Sequence, residues 1–221
     1  LVITHPGLAT QAHRLADYRQ SRGLESRVVY MDEIYQEFGY GLRDADALKQ
    51  FIGYARHHWQ RPGPRYVVLI GDATYDPKNN LGQGWVEYVP THMGSASFHW
   101  AAQDMWYGTV EGNDILVDIA LGRIASDQPA VVDQVINKIQ AFEAVAPSAT
   151  WQRRVLWVAD QNGPAGNFKG RSEELKAAYF DPNGTTSFTA YLDDQSAATV
   201  SQAIVNHFNA DRRFINYIGH G

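Results

Sequence analysis

The chain has 221 residues, 44% of them hydrophobic, and a formal net charge of −5; its twelve tyrosines, nine phenylalanines and six tryptophans are enough for one large α/β domain or two small ones. The acidic balance, without a basic stripe, argues against nucleic acid as a partner, and no apolar run reaches the ~18 residues of a membrane span. There is no cysteine, which excludes disulfides, thiolate metal sites and a thiol nucleophile within these residues.

Residues 1–4 read as a strand broken by Pro6-Gly7. Residues 11–22 read as a helix, with Ala12, Leu15 and Ala16 on its apolar face and Gly23 where a C-cap belongs. A second strand at 26–30 completes a βαβ unit, which implies a parallel pair and a right-handed crossover. Met31–Phe38 follows as a short helix closed by Gly39-Tyr40-Gly41. That Gly-x-Gly follows helix-like residues rather than a strand, so it is not a dinucleotide loop. The clearest helix is 44–59, where Leu48, Phe51, Ile52 and Ala55 recur at i, i+3, i+4 and i+7. Tyr66–Ile70 is a fully buried strand ending in Gly71-Asp72. The irregular stretch 73–103, rich in Gly, Asn, Pro, His and Trp, has the length at which a loop carries function or fills a cleft.

Residues 115–121 read as another strand, and Pro129 as the first-turn proline of a helix marked by Val132, Val135, Ile136 and Ile139. Residues 145–150 read as a linker. A new α/β run follows: strand 154–159, helix 172–179, strand 186–192, helix 197–208 and strand 213–218. The chain therefore divides into a first α/β subdomain over 1–147 and the start of a second over 148–221. It opens mid-strand and stops just past a strand of core composition, so it reads as a piece of a longer protein.

That final strand carries the sharpest chemical signal. Phe214, Ile215, Tyr217 and Ile218 have the length and composition of a strand buried on both faces, and it ends in Gly219-His220-Gly221. Flanking glycines remove the Cβ clashes that would stop the backbone turning sharply, so the histidine can project from the strand end. Chemistry in open α/β sheets collects outside those carboxyl ends; a turn histidine bonded to backbone is the alternative. Asp72, Asp104, Asp114 and Asp118, in a glycine-rich setting, are hard oxygen donors that suit structural Ca2+; solvated turn aspartates are the alternative. A metal-dependent phosphoesterase would also use Gly-Asp and Gly-His pieces at strand ends. It needs several histidines with close carboxylates, and no Asp-x-His pair occurs here.

Four motifs, Tyr66-Val67-Val68-Leu69-Ile70-Gly71-Asp72, Asp104-x-x-Tyr107-Gly108, Asp118-Ile119-Ala120-Leu121-Gly122-Arg123-Ile124 and Asn216-Tyr217-Ile218-Gly219-His220-Gly221, stand in the order and spacing of the gingipain family of caspase-fold cysteine peptidases. The chain resembles that family over essentially its whole length. The resemblance implies an α/β, parallel-sheet, three-layer architecture in two side-by-side subdomains, the second caspase-like and truncated here. It implies that His220 is the catalytic histidine and that the nucleophilic cysteine lies beyond Gly221. A thiol is only a few per cent ionised at neutral pH, so a nearby imidazole supports the thiolate and then protonates the leaving amine.

The family also has an acidic residue near the histidine; the matching turn offers Asp160 and Asn162, with Asn162 the better aligned. Glu173 falls where arginine-specific members line the primary specificity pocket, although an exposed carboxylate favoured by the helix dipole explains it as well. Gly219 and Gly221 would leave room for substrate. The resemblance further implies a protein or peptide substrate, a secreted or cell-surface location, the rest of the same polypeptide as partner, and no cofactor in the chemistry. A catalytically inactive binding or scaffold module on the same fold is the rival reading. With His220 but no cysteine, this chain alone should not hydrolyse peptides. Incubation with a mixed peptide library checks this, and histidine-dependent cleavage would put the nucleophile within these residues.

Overall fold

The computed structural model describes residues 1–96, 99–145 and 149–220. The chain divides into two units, Leu1–Ala141 and Phe142–Gly221. The boundary expected at 147–148 lies outside the described residues, as does half of the expected linker. The last helix before it runs to Ala144, and a 3-10 turn opens at Thr150.

In the first unit the elements are β1 (Val2–Thr4), α1 (Ala9–Ser21), β2 (Val28–Tyr30), α2 (Met31–Phe38), α3 (Ala45–His58), β3 (Tyr66–Ile70), β4 (Met93–Ala96), β5 (His99–Ala102), β6 (Ala120–Ile124) and α4 (Pro129–Ala144). Four strands form a parallel sheet in the order β2-β1-β3-β6. Successive strand residues face opposite ways, and here both faces are apolar. Val2 and Ile70 pack with Ala12, Leu15, Val132 and Ile136 from α1 and α4. Ile3, Val67 and Leu69 pack with Ile34, Leu48, Phe51 and Ile52 from α2 and α3. Strands that are apolar on both sides require helices on both sides, and three layers result. Local chemistry sets the helix ends. The Asp44 carboxylate accepts the Asp46 N–H at 2.9 Å at the start of α3, and Gly23, at φ +84°, takes the left-handed position just past α1.

The strand expected at 115–121 is displaced. Ile115 is 91% exposed, the Asp114 carboxylate accepts the Leu116 N–H, and Asp118 accepts the N–H groups of Val110 and Glu111. These aspartate turns engage the backbone groups that a ladder would need. Pairing starts only at Ala120, opposite Tyr66. The stretch 73–103, expected to be irregular, holds the antiparallel pair β4 and β5 near its end.

Arg123, inside β6, anchors that stretch. Its Nε and one Nη2 hydrogen hold the Asp104 carboxylate bidentately at 2.6 and 2.8 Å, while its other hydrogens go to the carbonyls of Gly71, Val89 and Pro90 at 2.8–2.9 Å. All five guanidinium donors are thereby used. Burial opposes the charge on Asp104, but the hydrogen bonds from Arg123 and Thr91 outweigh it and hold the carboxyl below its usual range. A depressed pKa stabilises the fold above the unfolded value and loses that contribution as pH falls through the folded one. Asp104→Asn should therefore cost about 2–4 kcal/mol at neutral pH, measured by urea unfolding. The gap to wild type should narrow as pH drops below 3.8, the unperturbed carboxylate value; a gap independent of pH would exclude this account.

The second unit contains β7 (Arg154–Ala159), α5 (Phe168–Leu175), β8 (Thr186–Tyr191), α6 (Ala197–Phe208) and β9 (Phe214–Ile218), with a parallel sheet in the order β8-β7-β9. Val155, Trp157 and Ala159 pack on the side of Phe168 from α5, whereas Leu156 and Val158 pack with Val200 and Ile204 from α6. The three layers recur. α5 starts before the expected 172 because the Asn167 side chain accepts the Gly170 N–H at 2.8 Å and caps it, and it runs on into a π-helical turn, Lys176–Phe180. Burial of the last strand on both faces, expected from its composition, does not hold. Among the described residues β9 is an edge strand paired with β7 alone, and Phe214, Ile215 and Tyr217 are 48%, 36% and 53% exposed.

Candidate active site

The second sheet changes direction at β7. The chain passes from β7 through α5 to β8 on one side, then returns through α6 to β9 on the other. Such a switch opens a crevice outside the carboxyl ends of the strands where the order reverses, here β7 and β9. Their register runs to Ala159 opposite Ile218, and the Asp160 N–H donates to the Ile218 carbonyl at 3.0 Å. Asp160 is then the first residue off β7, and His220 the second off β9.

The imidazole Nδ1 of His220 lies 2.5 Å from Asp160 Oδ2, and the His220 backbone N–H reaches the same oxygen at 3.3 Å. The other carboxylate oxygen accepts the Gln161 N–H at 2.7 Å. These bonds, the imidazole's first, hold Asp160 below the usual carboxylate range. An ionised carboxylate only accepts, so Nδ1 carries a proton, and in the neutral imidazole Nε2 is the nitrogen that keeps a lone pair. The Phe168 ring stands nearly perpendicular to the imidazole at 5.0 Å. The His220 side chain is 59% exposed, against 22% for Asp160. An oriented, reachable base backed by a carboxylate can take a proton from a nucleophile and return it to a leaving group.

Of the two residues expected beside the histidine, Asp160 faces the imidazole and Asn162 does not. The Asn162 side-chain oxygen accepts the Lys169 N–H, and its own N–H donates to Asp193, both at 3.1 Å. It ties the turn after β7 to α5 and to the turn after β8. Asp160 leaves β7 level with the end of β9, and two residues later the chain has turned away. Glu173, on α5, accepts the Tyr191 hydroxyl at 2.9 Å and pairs with Lys176 at 2.5 Å. Burial opposes its charge, but these partners outweigh it and hold its pKa below the usual range. At Gly219 a Cβ would lie 2.3 Å from the Tyr217 hydroxyl oxygen and 2.5 Å from the Asp160 Cβ, so close approach requires glycine there. Gly221 lies outside the described residues.

The four aspartates expected to hold calcium do not gather. Asp72 accepts the Ala73 N–H, Asp104 is engaged by Arg123 and Thr91, and Asp114 and Asp118 close turns. Among the described residues no three His, Cys, Asp or Glu side chains are grouped to hold an ion. Each of these carboxylates is thus engaged by protein groups, and the four do not form a common cation site. Sequence reasoning missed Phe168 and Tyr217, both of which touch His220. Tyr217, three residues before the histidine, was the one local signal.

A family model described as peptidase family C25 matches residues 1–221. No curated protein matches the chain by sequence. Among solved structures, a complex of the pro- and mature domains of Porphyromonas gingivalis RgpB is similar at 22% identity with a TM-score of 0.72, over 100% of this chain and 47% of that one. The Arg-specific cysteine proteinase gingipain R is similar at 21% identity and a TM-score of 0.74, over 100% and 46%. Dimeric latent PorU from Porphyromonas gingivalis gives 20% and 0.53, over 78% and 20%. At such identities the likeness shows the fold, a caspase-like parallel α/β architecture. The chain spans less than half the length of each of these structures.

The crowding around Gly219 generates a direct test. Gly219→Ala should lower stability by about 1–3 kcal/mol in chemical denaturation. Gly163→Ala, where a Cβ meets nothing within 4 Å, should stay within about 0.5 kcal/mol of wild type. Equal effects would mean that the turn adapts freely.

Proposed function

Because the chain belongs to peptidase family C25, we propose that it carries the histidine half of a gingipain-like cysteine endopeptidase site, with His220 as general base and acid and Asp160 orienting it. The observation that carries this reading is the 2.5 Å contact between Nδ1 and Oδ2 at the β7/β9 crevice. The sequence holds no cysteine, so the thiol belongs, on this reading, to the rest of the same polypeptide. Nε2 takes the thiol proton, and the thiolate sulfur attacks the scissile carbonyl. The imidazolium, stabilised by Asp160, gives the proton to the amide nitrogen as the C–N bond breaks, leaving a thioester. Nε2 next takes a proton from water, whose oxygen displaces the sulfur as thiolate and releases the carboxylic acid.

The substrate is a protein or peptide, no cofactor takes part in these steps, and a secreted or cell-surface location goes with the family reading. The charge on Glu173 is already offset by Lys176, which argues against a strong attraction for an arginine side chain there. In a polypeptide extended to the length of its solved relatives, His220→Ala should lower kcat about 10²- to 10⁴-fold with an unchanged circular dichroism spectrum. Asp160→Asn should lower it less. Undiminished cleavage by the folded His220→Ala variant would overturn the reading and leave a binding or scaffold module on the same fold.

A further inference from the structure

His220 stands beyond the last rung of the β7–β9 ladder, joined to it by a glycine. That is a poor position for a base that must keep its ring on one carboxylate, because Gly219 adds backbone freedom just where orientation matters. The hydrogen bonds around His220 offset this freedom from two sides. Its N–H donates to Asp160 at 3.3 Å, and its carbonyl accepts the Tyr217 hydroxyl at 2.8 Å. The Tyr217 ring reaches that carbonyl by folding over Gly219: a Cβ there would lie 2.3 Å from its hydroxyl oxygen and 2.6 Å from its Cζ.

Packing does not explain this pose. Tyr217 is about half exposed and belongs to neither buried cluster of the second unit. Its one side-chain hydrogen bond among the described contacts is the one to His220.

We propose that Tyr217 is a positioning residue for His220, a latch that fixes the Gly219–His220 turn so that Nδ1 stays on Asp160 and Nε2 faces the crevice. The inference rests on the peptidase reading of the site for its functional meaning. Its structural content, the hold on the imidazole, can be measured separately. A displacement of about 1 Å in a reacting group can cost about a hundredfold in rate, so one hydroxyl at this turn can matter although it touches neither substrate nor nucleophile.

Tyr217→Phe keeps the ring and removes only the hydroxyl. In this chain, the proton on His220 Nδ1, identified in nitrogen-15 spectra by its loss in Asp160→Ala, should be sharp in wild type and broadened or lost in Tyr217→Phe, with circular dichroism unchanged. In the extended polypeptide, Tyr217→Phe should lower kcat about ten- to a hundredfold at unchanged KM. An unaltered Nδ1 signal in Tyr217→Phe would overturn the latch. So would an unaltered kcat in a polypeptide that His220→Ala inactivates, and the peptidase reading would then survive alone. If the Nδ1 signal is lost but cleavage does not depend on His220, the latch stands and the peptidase reading fails.

Discussion

The hydrogen bond from the Asp160 N–H to the Ile218 carbonyl is the last rung between β7 and β9, and the candidate site depends on it. Parallel strands end on the same side of a sheet, so the residues just past that rung are neighbours although sixty positions separate Asp160 from His220. A slip of one residue would move β9 by about 3.3 Å and turn each of its side chains to the other face. Trp157 resists such a slip from the central strand. It is buried against Phe180, its indole N–H reaches Ser187 on β8, and it pairs with Asn216 on β9.

The first unit has the same layers and the same kind of switch, between β1 and β3, but its strand ends are used differently. The Thr4 hydroxyl donates across to the Ile70 carbonyl, and the Asp72 carbonyl accepts the N–H groups of Tyr88 and Val89. The Tyr88 ring lies 4.5 Å from that of His5. The crevice that holds Asp160 and His220 in one unit is thus covered in the other by the stretch after β3, which Arg123 ties to β6. One architecture supports an open site and a closed one, and loop chemistry makes the difference.

Most of this fold was legible in the sequence because it is written in local periodicity. The buried strands 66–70 and 154–159 and the helix around Leu48 and Phe51 announce themselves by composition and spacing alone. Where the reading failed, side chains intervened between distant or irregular segments. Ile115, Leu116 and Val117 have strand composition, yet Asp114 and Asp118 take up the backbone groups around them. Asp160 and Asn162 lie in the same turn after a strand, and the register of β9 with the turn's direction decides which meets the imidazole. The role of Arg123 needed knowledge of three carbonyls from 33 to 52 residues away.

The exposed edge of β9 has a consequence for how the isolated chain behaves in solution. An edge strand presents unpaired N–H and C=O groups, and Phe214-Ile215-Asn216-Tyr217-Ile218 contains no charge and no proline to discourage another strand from adding to it. Exposed apolar side chains on the same strand give such an addition a hydrophobic gain as well. In the free chain, β9 is therefore an edge that offers another strand both backbone partners and apolar side chains. A lysine at position 215 is the kind of gatekeeper that natural sheets use to suppress such an addition.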